Sequence, residues 1–370
     1  MILTIFIFIA VLAVLVLSHE FGHFIAAKKF NMRVDEFGFG FPPKLFGIKK
    51  GETMYSFNLL PIGGFVRIFG ENPVSESDNE TISEVDLNRV FYKQKAWKRA
   101  LVLCAGVFMN LFVAYILFSV THTLGVSTIV SDDYSAQNLK NVSVQIVDVV
   151  KGSPAEEVGI KIGDKINKLS VDATSLTTDK IADIQHFILQ NKGKEISFTI
   201  NRGQEILNLN VKARKDFSEN EGATGIALIR VGTLNYPWHK AISEGAKTFW
   251  FALTGTLAAF GGMIKGLVLS GSLPSDISGP VGIAYMTGAV RSLGFVHLLQ
   301  FVALISLNLG VINLIPFPAL DGGRLLFLGI EKLKGSPVPK RVEGMAHTIG
   351  FVLLILLIIA ATFHDINKFF

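Results

Sequence analysis

ILTIFIFIAVLAVLVLSHEFGHFIAA, residues 2–27, is an apolar run with one polar island, His19-Glu20-Phe21-Gly22-His23. At about 1.5 Å per residue, a helix of this length crosses a hydrocarbon core of about 30 Å. Residues four apart on a helix lie one above the other, so His19 and His23 present two imidazoles to one point, and Glu20 flanks that face. This is the H-E-x-x-H pattern, in which two histidines bind zinc and the glutamate is a general base. On a soluble helix the same five residues read equally well as surface polar groups. Inside an apolar run, three ionisable groups cost several kcal/mol unless paired or ligated, so here they read as a site.

The rest of the chain suits a membrane setting. Half of its 370 residues are hydrophobic, with several further apolar runs, which points to a polytopic membrane protein. Lys and Arg gather beside those runs, at Lys28, Lys29 and Arg33 and again at Arg89, Lys93, Lys95, Lys98 and Arg99. The net charge of +5 therefore reads as topology signal, and no nucleic-acid partner is expected. The single cysteine, Cys104, excludes an intramolecular disulfide and a cysteine-based zinc site. Basic residues follow the first run, which is too long for a signal-peptide core. The segment is expected to be retained, with its N-terminus outside and the motif toward the cytoplasmic end.

Beyond the first span (residues 1–27), residues 28–99 read as a cytoplasmic, membrane-associated β region. Phe- and Gly-rich segments at 37–43 and 53–68 form short strands joined by a turn near Lys49-Lys50-Gly51, followed by an acidic solvated loop at 72–86. An exposed strand edge there can hold a peptide extended; an ordinary hairpin packed on the helices is the alternative. The second span is 100–124, and its lone Asn110 is either an interhelical hydrogen-bonder or a substrate contact. Residues 125–235 are soluble in character. Their S-P-A-x-x-x-G-I-x-x-G-D-x-I pattern at 153–166, with a helix at 178–190 and strands at 195–202 and 204–213, resembles a PDZ domain. That resemblance implies peptide recognition by strand addition, or a steric gate.

Residues 236–294 are apolar but interrupted by His239, Lys240, Glu244, Lys247 and Lys265, and read as interfacial amphipathic helices with a Gly/Ser/Pro loop at 270–282. The third span is 295–322, then a cytoplasmic loop at 323–344 and a fourth span at 345–363, with His364 and Asp365 at the interface. Zinc proteases use three protein ligands and leave a fourth position for water. Asp321, Glu331, His297, His347 and His364 compete for third ligand. Only Asp321 stands at the cytoplasmic end of a span parallel to the first; its other reading is a helix cap before Gly322-Gly323. Prolines free backbone carbonyls nearby and asparagines add amides, so residues 308–318 suit substrate binding.

With H-E-x-x-H in the first span, P-I-G-G-F-V at 61–66, N-x-x-P-x-P-x-L-D-G-G at 313–323 and the PDZ-like module between, the whole chain resembles the bacterial site-2 proteases, which are intramembrane zinc metalloproteases. The resemblance implies zinc held by His19, His23 and Asp321, Glu20 as catalytic base, and substrate handling by Asn308, Asn313, Pro316 and Pro318. It places Gly63 and Gly64 in the membrane-associated sheet and suggests substrate contact by Asn110. The family usually carries G-P-x-x-N where this chain has Gly106-Val107-Phe108-Met109-Asn110, which weakens that last correspondence. Some members carry two PDZ modules; here only one fits.

The expected fold is a polytopic α-helical membrane protein with four transmembrane helices, a membrane-associated β-sheet and an extracytoplasmic α/β PDZ domain. The implied partners are single-span membrane protein substrates such as anti-sigma factors, signal-peptide remnants, a PDZ peptide ligand and the lipid of a bacterial cytoplasmic (inner) membrane. Two rivals stand beside this reading. One is a non-catalytic membrane adaptor with a structural metal site, which has no need of Glu20. The other is a metal transporter, in which the large soluble domain has no evident role.

Overall fold

The computed structural model describes residues 2–71, 88–132, 139–203, 205–217, 222–270 and 279–369. The expected acidic loop at 72–86 and most of the loop at 270–282 lie outside these residues. In chain order the elements are α1 (Ile2–Lys29), β1 (Val34–Lys50), β2 (Thr53–Ile68), α2 (Ala96–Leu124), β3 (Val126–Ile129), β4 (Leu139–Val149), α3 (Pro154–Glu157), β5 (Lys165–Val171), β6 (Thr174–Leu176), α4 (Ile181–Gln190), β7 (Glu195–Arg202), β8 (Glu205–Lys212), β9 (Ile226–Leu234), α5 (Trp238–Ser270), α6 (Pro280–Leu293), α7 (Phe295–Leu314), α8 (Asp321–Lys334) and α9 (Lys340–Phe369). They divide into two compact units, Met1–Thr121 with Ile242–Phe370, and His122–Ala241.

Among the described residues, four helices are long and apolar enough to cross a membrane: Leu3–Lys29, Ala96–Leu124, Phe295–Leu314 and Arg341–Lys368. Side chains such as Leu3, Phe6 and Val14 on α1 and Leu353, Leu356 and Leu357 on α9 are exposed, as lipid-facing groups should be, because a helix satisfies its own backbone where no water can. Helix α1 stops at Asn31, whose φ of 58° is left-handed. The Met32 amide reaches back to the Ala27 carbonyl and the Asn31 amide to that of Lys28, a Schellman ending that turns the chain into β1.

Strands β1 and β2 are longer than the short strands expected, at 17 and 16 residues, because each bends and is used twice. Residues Phe37, Gly38 and Phe39 pair with Tyr55, Ser56 and Phe57 on one side and with Val66, Phe65 and Gly64 on the other, while Lys44 to Lys50 pair back on Asn58 to Thr53. One hairpin thus makes four rungs, with the 64–68 stretch at one rim. A core of Ala27, Met32, Val34, Ile68, Val102, Leu103 and Leu328 joins the hairpin to α1, α2 and α8.

The third span was expected to run to residue 322, and it ends at Leu314 instead. Pro316 forbids helical backbone at Ile315, which is extended (φ −60°, ψ 134°). Asp321 opens α8, so the expected loop at 323–344 is helical as far as Lys334, where Gly335 ends it at φ 74°. Helix α9 is longer than the fourth span foreseen. Asp365, expected at the interface, is fully buried; its two carboxylate oxygens accept the backbone N–H groups of Gly279 and Gly282 and so cap α6.

The second unit is a seven-stranded sheet in the order β3-β9-β4-β5-β7-β8, with β6 on β5. Ser153 caps α3 by accepting from the Glu156 amide, and Ile146, Ile196, Phe198 and Ile200 are fully buried in its core. Burial opposes charge on Asp164, but the Arg202 guanidinium at 2.8 Å and the Lys161 amide outweigh that cost and hold its carboxyl below the usual range.

Candidate metal centre

Two turns of α1 place His19 and His23 on one face, each only 8% exposed. Asp321, 302 residues later, brings its Oδ2 to 2.9 Å from His19 Nε2 and 3.2 Å from His23 Nε2. The two Nε2 atoms are 3.1 Å apart. Among the described residues this is the group whose ligand atoms converge, all within 4.8 Å of one another.

The chemistry of the group suits a cation. His23 Nδ1 lies 2.8 Å from the Val102 carbonyl oxygen, which can only accept, so Nδ1 carries the proton and Nε2 offers a lone pair. That lone pair faces a carboxylate oxygen and a second imidazole in a largely desolvated pocket, an arrangement that a divalent ion relieves. Two imidazole nitrogens and one carboxylate oxygen match the protein ligands of zinc in catalytic sites.

Helix α2 backs this face. The His23–Val102 and Asn110–His19 contacts run in opposite chain directions, so α1 and α2 are antiparallel. A Cβ at Gly22 would overlap the Ala105 carbonyl, and a Cβ at Gly106 would overlap His23 Nε2 and stand 2.8 Å from His19 Cε1. Gly106 therefore makes the space in which the imidazoles sit. Sequence reading names this glycine only as the first residue of the second-span motif and gives it no role; the signal available was its spacing from Asn110, four apart on one helical face.

Glu20 lies within electrostatic reach of His19, His23, Asp321 and Glu71. Gly64, on the rim strand, faces it: a Cβ there would stand 3.5 Å from Glu20 Cγ and 3.1 Å from the Gly38 carbonyl. Gly63 (φ 105°) instead abuts the Phe41 ring. Asn110 is fully buried and its Nδ2 is 3.2 Å from His19 Nδ1. Asn308 is turned to another partner, accepting from Thr256 Oγ1 at 2.9 Å beside an apolar cavity of about 430 Å³ between α5 and α7. Asn313 is half-buried on the last turn of α7; Pro316 is exposed and Pro318 half-buried in the link to Asp321. Of the rival third ligands, Glu331 pairs with Arg99 at 3.0 Å and His347 binds the backbone at Ala319.

Arg324, one turn beyond Asp321, forms an ion pair with Glu71 just past the rim strand, and that carboxylate keeps the guanidinium charged. The pair ties the helix that carries Asp321 to the strand that carries Gly64.

Residues 7–357 match the model of peptidase family M50. Over 99% of this chain and 99% of each relative, the sequence is 30% identical to zinc metalloprotease RasP of Oceanobacillus iheyensis and 31% identical to that of Shouchella clausii. It is 29% identical, with the same coverage, to a Bacillus subtilis protein named regulator of sigma-W protease RasP. The adaptor and transporter readings have no comparable support. A match across almost the whole chain, around two buried histidines and a part-buried aspartate that suit zinc, has one meaning: the chain belongs to peptidase family M50, the site-2 protease family, and is a membrane-embedded zinc metalloprotease.

Proposed function

We propose that this enzyme cleaves single-span membrane proteins at bilayer depth, with zinc held by His19, His23 and Asp321 and Glu20 as general base. The observation that carries the reading is the convergence of Asp321 on two histidines of a helix apolar enough to span. Bound zinc supplies Lewis acidity to the attacking water and the scissile carbonyl. Glu20 takes the water's proton and delivers it to the departing nitrogen. A helical peptide bond is shielded by its own hydrogen bonds, so the substrate must be drawn out. The rim strand at Gly64, against Glu20, offers backbone groups that hold it extended, and Asn313, Pro316 and Pro318, in the stretch that leads into Asp321, are the further residues proposed to handle it.

The unit at 122–241 acts as a PDZ-type recognition or gating module on the extracytoplasmic side of a bacterial cytoplasmic membrane. The Bacillus subtilis relative's name ties that protein to control of a sigma factor; membrane-anchored regulators of this kind, already trimmed outside, are the substrates proposed here, along with signal-peptide remnants. The test is cleavage of a model single-span protein by the detergent-solubilised chain, with bound zinc measured in parallel. Wild type should cleave, Glu20→Gln should keep zinc and lose cleavage, and Asp321→Ala should lose both. Cleavage by the Glu20→Gln chain at the wild-type rate would sink the assignment.

A further inference from the structure

Asn110 has an unanswered atom. The side chain is fully buried, its Nδ2 is 3.2 Å from His19 Nδ1, and its Oδ1 meets no hydrogen-bond partner. A buried carbonyl oxygen left unpaired costs about 1–3 kcal/mol. The neighbours of Asn110 fix the residue where it is. Ser306 Oγ donates to its backbone carbonyl at 2.8 Å, and Gly310 of α7 leaves just enough room behind its Cβ.

The amide has two orientations, and each selects one tautomer of His19. With Nδ2 toward the ring, the amide donates to Nδ1, so the ring proton sits on Nε2, between the imidazole and Asp321. Turned by half a rotation, Oδ1 accepts from Nδ1–H, its missing partner is supplied, and the Nε2 lone pair faces Asp321 Oδ2 and His23 Nε2. Only the second arrangement lets His19 ligate a metal. His23 has no such choice, because the Val102 carbonyl behind it only accepts. The two rear contacts come from one face of α2, two turns apart, one rigid and one reversible.

We propose that Asn110 is a positioning residue that holds His19 in the zinc-ligating tautomer through Nδ1–H···Oδ1, and is not a substrate contact. The inference rests on His19 being a zinc ligand. An outer partner of a ligating histidine is typically worth 10–100-fold in metal affinity.

Zinc dissociation constants of the detergent-solubilised full chain, measured by chelator competition, test it with four proteins. Asn110→Leu, close in volume but without an acceptor, should bind zinc 10–100-fold more weakly than wild type. Asn110→Asp, which keeps the acceptor, should bind at least as tightly as wild type, so a general loss of fold cannot imitate the result. At saturating zinc the Asn110→Leu chain should cleave with an unchanged KM. Wild-type zinc affinity in Asn110→Leu with a raised KM would overturn the proposal in favour of a substrate contact. Equal loss in Asn110→Leu and Asn110→Asp would overturn it in favour of packing alone. His19→Ala separates the two layers: wild-type affinity there overturns the ligand assignment itself, whereas lost affinity there with none lost in Asn110→Leu overturns only the role of Asn110.

Discussion

The Nδ1 atom of His347, on α9, accepts the backbone N–H of Ala319 at 3.0 Å. Ala319 lies two residues before Asp321 and is left-handed, with φ 83°, a conformation that costs an L-residue roughly 1–2 kcal/mol. One turn along α9, Gly350 lets the helix backbone lie against the Pro318 carbonyl. The link that delivers Asp321 is therefore held from behind by α9. His347→Ala should lower zinc affinity and cleavage roughly fivefold, from the loss of one hydrogen bond worth about 1 kcal/mol, while His347→Gln, which keeps an acceptor, should recover most of it. Identical zinc affinity in wild type and His347→Ala would remove this role.

Gly106 sets the space for both imidazoles. Gly106→Ala puts a methyl group onto His23 Nε2, and overpacking of this kind costs about 1–3 kcal/mol. The expected outcome is at least a tenfold loss of bound zinc, by metal analysis after gel filtration, with helix content by circular dichroism unchanged. Full zinc occupancy would show that the histidines do not need this gap.

Gly64 should separate substrate handling from metal binding. A Gly64→Val side chain enters the space between the rim strand and Glu20, so cleavage should fall roughly tenfold or more with zinc content at the wild-type level. Parallel loss of zinc would place the glycine's importance in the fold of the site instead.

In the second unit, burial and the Arg202 pair act on Asp164 in opposite directions and leave its carboxyl below its ordinary range. A depressed folded-state pKa means that this ion pair stabilises fully above the unfolded carboxylate pKa of about 3.9 and is lost as pH falls through the lower folded value. The protection of β5 and β7 amides in the intact chain, taken relative to their intrinsic exchange rates at each pH, should therefore fall on acidification below about pH 4. In Asp164→Asn it should be lower at neutral pH and less sensitive to acid. Equal exchange in both chains at neutral pH would show that the pair adds nothing.

Much of this structure is readable locally. Hydropathy marks the four apolar helices, and Lys49-Lys50-Gly51 marks the hairpin turn, because both depend on neighbouring residues alone. The meeting of Asp321 with the histidines was within reach because two apolar runs expected to share a direction would bring the same ends together. Features that depend on distant partners were not readable. The double use of β1 and β2 arises from bends whose pairing is set across the hairpin. The early end of α7 follows from Pro316, which from sequence alone reads as a break at depth within a span that continues to residue 322. Asp365 reads as an interfacial acid until α6 brings two amides to it, and Asn308 reads as a site residue until Thr256 claims it. Val102 contributes only a carbonyl, which no side-chain pattern reports.

Asp321 follows His19 by 302 residues, and that separation also sets an order in time. A ribosome adding about 5–20 residues per second releases α1, with both imidazoles and Glu20, some tens of seconds before the acid that completes the group. Until Asp321 is made, the two histidines and Glu20 lack the carboxylate that meets them in the folded chain, so the group cannot close early.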